Sequence, residues 1–193
     1  EIMPSLVGSE MCIRDRIIVG LLCVLFAFLY TTGPYPLSYN GWGDVLVIVF
    51  FGFVPVGGTY YVQALTWTSD TTVASLICGL LIDTLLVVNN YRDREADARS
   101  GKRTVIVRFG EKFGRYLYLM LGVAASLLCF WFFFEGHLFA ALLPLLYLIP
   151  HVLTWRRMVQ IHSGKKLNSI LGETSRNMLL MGILLSIGFL IRH

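Results

Sequence analysis

Apolar runs of about 20 residues recur along this chain, and that is the length a helix needs to cross a bilayer. The strong runs are Val45–Leu65, Thr71–Val88, Tyr116–Phe134, Leu138–Trp155 and Leu171–Ile191. A weaker one, Ile17–Tyr30, has 14 residues. Backbone groups in hydrocarbon find no water, so each run satisfies its own hydrogen bonds as a helix. The expected fold is therefore all-α: a polytopic transmembrane helical bundle of about six helices, the first incomplete. A hydrophobic fraction of 56% and a mean hydropathy of +0.69 exclude an ordinary soluble domain.

Charge sets the orientation. The net charge is +4, but the basic residues border the spans, so topology explains them better than nucleic-acid binding does. The loops at Arg92–Arg115 and Arg156–Lys166 belong in the cytoplasm. The turns at Thr66–Thr72 and Glu135–His137 carry no Lys or Arg and belong outside. Parity then puts Thr31–Asp44 on the cytoplasmic side. The bilayer is the expected partner; neither nucleic acid nor a protein partner is expected. Cys12, Cys23, Cys78 and Cys129 show no metal or disulfide spacing and read as small buried residues. His137, His151, His162 and His193 have no ligand-like spacing and read as interfacial or surface residues.

Residues 1–16 differ in style from the rest and match no signal peptide. They read as a non-native segment, with the transmembrane domain running over residues 17–193. The short first run beside them suggests that the native chain extends upstream. In the second span, Pro55, Gly57 and Gly58 interrupt the helix pattern, with Pro55 read as a kink in a packed helix. Asp83 lies inside the third span, where a carboxyl marks a polar cavity or a packed, hydrogen-bonded contact.

The chemistry concentrates in Asn89–Gly110, NNYRDREADARSGKRTVIVRFG. Eight of the sixteen Lys and Arg residues fall in Arg92–Arg115, with Asp93, Glu95 and Asp97 among them. On a continuing helix Asp93 and Asp97 lie one turn apart, about 6 Å along the axis, with Asn89 and Asn90 on the turn before. Such a stripe of oxygens suits Mg²⁺, which takes one or two carboxylates plus phosphate oxygens and water. Asn89, Asn90, Arg94, Lys102 and Arg103 are the candidates for a diphosphate. The competing reading is a loop whose charges only enforce topology.

The motif Asn89-Asn90-Tyr91-Arg92-Asp93, then Asp97, then Gly101-Lys102-Arg103-Thr104 resembles the second aspartate-rich motif of the UbiA-type intramembrane aromatic prenyltransferases. Three more stretches are similar to that family: Thr31-Thr32-Gly33-Pro34 through Gly43-Asp44, Phe51-Gly52 through Gly58-Thr59-Tyr60-Tyr61-Val62-Gln63, and Leu167-Asn168 to Leu171-Gly172. The asparagine pair and the Gly-Lys-Arg-Thr ending resemble the naphthoate-prenylating branch. The resemblance implies an Mg²⁺-dependent enzyme of the bacterial cytoplasmic membrane, with Asp93 and Asp97 as catalytic metal ligands. The implied reaction moves a polyprenyl group from an allylic polyprenyl diphosphate to 1,4-dihydroxy-2-naphthoate, with decarboxylation, giving demethylmenaquinone. Tyr60, Tyr61 and Asp83 are then expected at the cavity. Other readings are transfer to an acceptor such as 4-hydroxybenzoate, a transporter using Asp83 and the motif acids, or a non-catalytic membrane protein. The family's first motif, Asn-Asp-x-x-Asp-x-x-x-Asp, does not occur here, and the six runs resemble the last six of the family's nine helices. The expectation is a chain that covers the C-terminal two-thirds of such an enzyme and is inactive alone.

Overall fold

The computed structural model describes residues 3–32 and 35–191. Glu1, Ile2, Gly33, Pro34 and His193, on which parts of the sequence reading rest, lie outside the described residues. Among the described residues there are seven helices and no strand. Helix α1 is Met3–Thr31, α2 Gly43–Ala64, α3 Ser69–Arg99, α4 Val105–Phe109, α5 Glu111–Phe134, α6 Leu138–Ile161 and α7 Leu167–Leu190. Helices α2, α3, α5, α6 and α7 are long and apolar enough to cross a membrane, and Arg16–Thr31 is a shorter apolar helix. Helix α1 runs unbroken through Arg14 and Arg16, so the apolar run Ile17–Tyr30 is its C-terminal half.

The axis of the bundle is α3. Thr68 starts it as an N-cap, its side chain accepting from the Thr71 N–H at 3.2 Å. At 31 residues α3 is about 46 Å long. That exceeds a hydrocarbon core of about 30 Å, and the charged residues from Arg92 to Arg99 make the motif-bearing end the part suited to lie outside it. Two clusters of buried side chains hold the bundle. Val87, Val88, Tyr91, Ile106, Tyr118, Leu121, Met158, Leu167 and Ile170 pack at the motif end. Ile77, Leu81, Ala125, Cys129, Phe132, Ala140, Tyr147 and Met181 pack at the other.

Pro55 does more than kink α2. Ile48–Gly57 winds as a π-helix, a wider turn that absorbs the missing proline N–H. In this stretch α2 crosses α3 at two glycines. A Cβ on Gly52 would come within 2.8 Å of the Gly79 Cα, and one on Gly79 within 2.9 Å of the Ile48 Cα. Small residues let membrane helices approach closely, and here that contact fixes α2 against α3. In α6, Leu143–Tyr147 tightens to a 3₁₀ helix that begins beside Pro144. Pro150 follows in the first turn of the resumed helix, where its N–H is not needed.

Two readings need correction. His151 is fully buried, not interfacial. Its ring stacks between Tyr118 and Tyr147, with centroids 4.7 and 5.0 Å away, in the space Gly122 leaves. Its two nitrogens meet the Tyr147 hydroxyl at 2.9 Å and the Leu119 carbonyl at 3.3 Å, so the burial is satisfied. Of the cysteines, Cys129 is buried, whereas Cys23 and Cys78 are half-exposed, Cys78 beside α2 with its thiol 3.8 Å from the Phe51 carbonyl.

The three loops assigned to one side do gather at one end. The Arg103 N–H donates to the Tyr39 carbonyl at 2.7 Å, and Arg108 Nη2 to the Asn40 carbonyl at 2.7 Å. His162, in the third loop, lies 3.0 Å from Glu111. At the opposite end Trp131 Nε1 donates to Asp70 at 2.8 Å.

Candidate active site

The motif end of α3 borders a cavity of about 340 Å³. Its walls include Asn89, Asn90, Asp93, Asp97 and Lys102, together with Tyr30, Thr31, Ser38, Tyr39, Gly41, Gly43, Asp44, Leu86 and Thr104. Three segments build it, two of them close in sequence and the third more than forty residues on. The end of α1 gives Tyr30, the short 3₁₀ turn Leu37–Asn40 and the start of α2 give one wall, and α3 with its following loop gives the other.

Local chain geometry brings Lys102 in. Helix α3 stops at Arg99, and Gly101 takes φ +77°, a left-handed conformation natural to glycine. The chain thereby folds back, and the Lys102 N–H donates to the Asp97 carbonyl at 2.9 Å. The Lys102 ammonium then sits 3.2 Å from the Asp97 carboxylate and 5.2 Å from the centre of the Tyr39 ring. Thr104 caps α4, accepting from the Val107 N–H at 3.3 Å, and holds the far end of this loop.

Asp93 faces a different cation. Arg92 donates through Nε and Nη2 to both of its carboxylate oxygens, at 2.7 and 2.6 Å. The same guanidinium donates to Asn89 Oδ1 at 2.7 Å and to Asn168 Oδ1 at 2.9 Å. Asp44, at the start of α2, lines the cavity with a buried Oδ1 that has no hydrogen-bond partner among the described residues.

The structure does not bring all the expected residues together. Arg94 is turned a third of the way round the helix from Asp93. It donates to the Tyr91 carbonyl at 2.7 Å and to Glu111 at 3.2 Å, and lies over the Tyr91 ring. Arg115 and His162 converge on the same Glu111, so Arg94 belongs to a structural knot behind α3. Arg103 has an exposed side chain outside the cavity wall, and only its backbone meets the cavity-side turn. Tyr60 and Tyr61 sit near the opposite end of α2 from Asp44, sixteen and seventeen residues on and about 24 Å away along the helix. Tyr61 borders a separate cleft with Arg16, Val19 and Val54. Asp83 is buried and does not line the cavity, and its Oδ1 also lacks a hydrogen-bond partner among the described residues.

The residues that sequence reasoning passed over are Asp44, Tyr30 and Arg92. A carboxylate opening an apolar span was the available signal for Asp44. Tyr30 joins the polar cavity to an apolar cleft of about 520 Å³, lined also by Cys23, Phe26, Ala27, Leu46, Val47, Phe50 and Phe51.

The donors at the cavity are all oxygen, from Asp93, Asp97, Asp44, Asn89 and Asn90, the set that hard divalent cations prefer. Among the described residues no three carboxylate, imidazole or thiol groups lie close enough to hold an ion by themselves. The donor set therefore fits an ion whose remaining oxygens come from a bound anion and water, and Lys102 suits that anion.

Known proteins are similar to this chain along most of its length. A 1,4-dihydroxy-2-naphthoate octaprenyltransferase of Haemophilus influenzae is 38% identical over 181 residues, covering 90% of this chain and 56% of that protein. One from Mycobacterium leprae is 44% identical over 112 residues, covering 58% of this chain and 38% of that protein. A UbiA prenyltransferase domain-containing protein 1 of Dictyostelium discoideum is 29% identical over 181 residues, covering 93% and 54%. The chain thus spans about half the length of the Haemophilus and Dictyostelium relatives. No solved structure matches it. Residues 15–188 match the UbiA prenyltransferase family, and this multi-pass membrane chain belongs to that family.

Proposed function

We propose that the chain serves the transfer of a polyprenyl group from an allylic polyprenyl diphosphate to 1,4-dihydroxy-2-naphthoate. The ring carboxylate leaves as carbon dioxide, the product is demethylmenaquinone, and the setting is the bacterial cytoplasmic membrane. The observation that carries this reading is the joining, at Tyr30, of an acid- and lysine-lined cavity to an apolar cleft. A substrate with a polyanionic head and an isoprenoid tail needs that pair of environments side by side. The relatives' names supply the naphthoate acceptor.

Members of the family generally use a divalent metal ion; magnesium is the ion we assign. When bound, Mg²⁺ would stabilise the negative charge that builds on the departing diphosphate. Asp93 and Asp97 would hold it, with Asn89, Asn90 and Asp44 beside them. Lys102 supports the leaving diphosphate from the loop side, where its charge counts most as the allylic C–O bond breaks. Phe26, Phe50 and Phe51 keep water from the first isoprene units. The loops at this end face the cytoplasm, where diphosphates are made.

The test is a chimera in which residues 15–188 replace the segment they align with in the Haemophilus influenzae relative. Supplied with Mg²⁺ and a labelled allylic diphosphate, it should prenylate dihydroxynaphthoate and not 4-hydroxybenzoate. A product from 4-hydroxybenzoate alone, or none from a folded chimera, would reject this reading.

A further inference from the structure

The four hydrogen bonds of Arg92 are not explained by charge balance with Asp93. A guanidinium carries five N–H donors in one plane and no acceptor. Here the fork closes on both oxygens of Asp93, while the remaining donors reach Asn89 on the same helix and Asn168 on α7. Asn168 lies 76 positions further along the chain, is exposed, and is not part of the cavity wall. Its neighbour Leu167 is fully buried and packs in the same cluster as Val88 and Tyr91. The first turn of α7 is thus a fixed point against α3, and Asn168 is the group on it that Arg92 reaches.

We propose that Arg92 is a positioning residue that ties Asn89 and Asp93 to Asn168, so that α7 sets the affinity of the cavity for a divalent ion. This rests on the reading of Asp93 as an ion ligand. A carboxylate has about four lone-pair sites, and the fork uses two, leaving two for an ion. Without the tie, the half-exposed Asp93 side chain turns among its rotamers and binding must immobilise it. Outer-shell partners of this kind typically contribute 10- to 100-fold to metal affinity. Lysine cannot replace the arginine, because a single ammonium does not span three separate acceptors with a planar fork.

The experiment uses the whole chain in lipid nanodiscs, with Mn²⁺ as the probe and free Mn²⁺ read by paramagnetic resonance. Asn168→Ala removes an exposed side chain and should leave thermal unfolding where it is. It should nonetheless weaken Mn²⁺ binding by about 10- to 100-fold, as should Arg92→Lys. The double variant Arg92→Gln/Asn168→Ala should bind no worse than Arg92→Gln, since one tie is being cut twice. Ser169→Ala, one residue along, should bind as the parent does. If Asn168→Ala and Arg92→Lys bind as the parent does while Asp93→Asn does not, the tie is overturned and the ion site stands. If the parent binds Mn²⁺ no better than Asp93→Asn, the ion site falls and the tie with it.

Discussion

Lys102 is held from three directions. Its backbone N–H is bonded to Asp97, its ammonium pairs with the Asp97 carboxylate, and the Tyr39 ring lies over it. The ammonium therefore reaches the cavity already ordered, and binding the proposed anion would cost little rotamer entropy. Lys102→Gln should raise the KM for the allylic diphosphate in the chimera by about 10- to 100-fold, the range of one charge-assisted hydrogen bond. The acceptor KM should not change. Equal shifts in both constants would mean that Lys102 shapes the whole cavity and does not select its anion. Much of this site is visible as spacing. Asn89, Asn90, Asp93 and Asp97 share a stripe because four residues make about one turn, and the cavity takes all four. The basic residues were not separable in that way. Arg94 and Lys102 look alike in sequence, yet a rotation of about 100° per residue sends Arg94 to Glu111.

At the scale of elements, the close approach of α2 and α3 places the Asp44 wall opposite the aspartates. Gly79→Leu would drive a side chain into the Ile48 backbone, which cannot yield as a side-chain tip would. It should cost about 1–3 kcal/mol, seen as a lower unfolding temperature in detergent, and should widen the cavity. Gly182→Ala, with open space around it, should leave the unfolding temperature unchanged. Equal stability of both variants would show that the helices do not meet at Gly79. The spans themselves follow from apolar length. The π-helical winding of Ile48–Gly57 does not, because Pro55 is equally compatible with a kink. Nor does the burial of His151 follow, since its acceptor and donor come from Tyr147 and Leu119 on the folded bundle.

For the whole molecule, alternating spans carry the turn Leu37–Asn40, the loop after α3 and the loop before α7 to one end, where Arg103, Arg108 and Arg92 tie them together. We propose from the charge placement that this end faces the cytoplasm. Cysteines introduced as Ser100→Cys and Glu135→Cys should then label oppositely with an impermeant thiol reagent on intact cells, only the second reacting. Labelling of the first from outside would invert the molecule. We propose that the acid-lined cavity at this end holds the diphosphate of the prenyl donor. Turnover of labelled allylic diphosphate by the chimera, compared between Asp97→Asn and Glu95→Gln, tests it most directly. Both changes remove one negative charge within a turn of Asp93, but Asp97 lines the cavity, whereas Glu95 is exposed on another face. Asp97→Asn should lose about 100-fold or more in rate, and Glu95→Gln should stay within about twofold of the parent. Near-parental turnover by Asp97→Asn, or an equal loss in Glu95→Gln, would place the diphosphate outside this cavity.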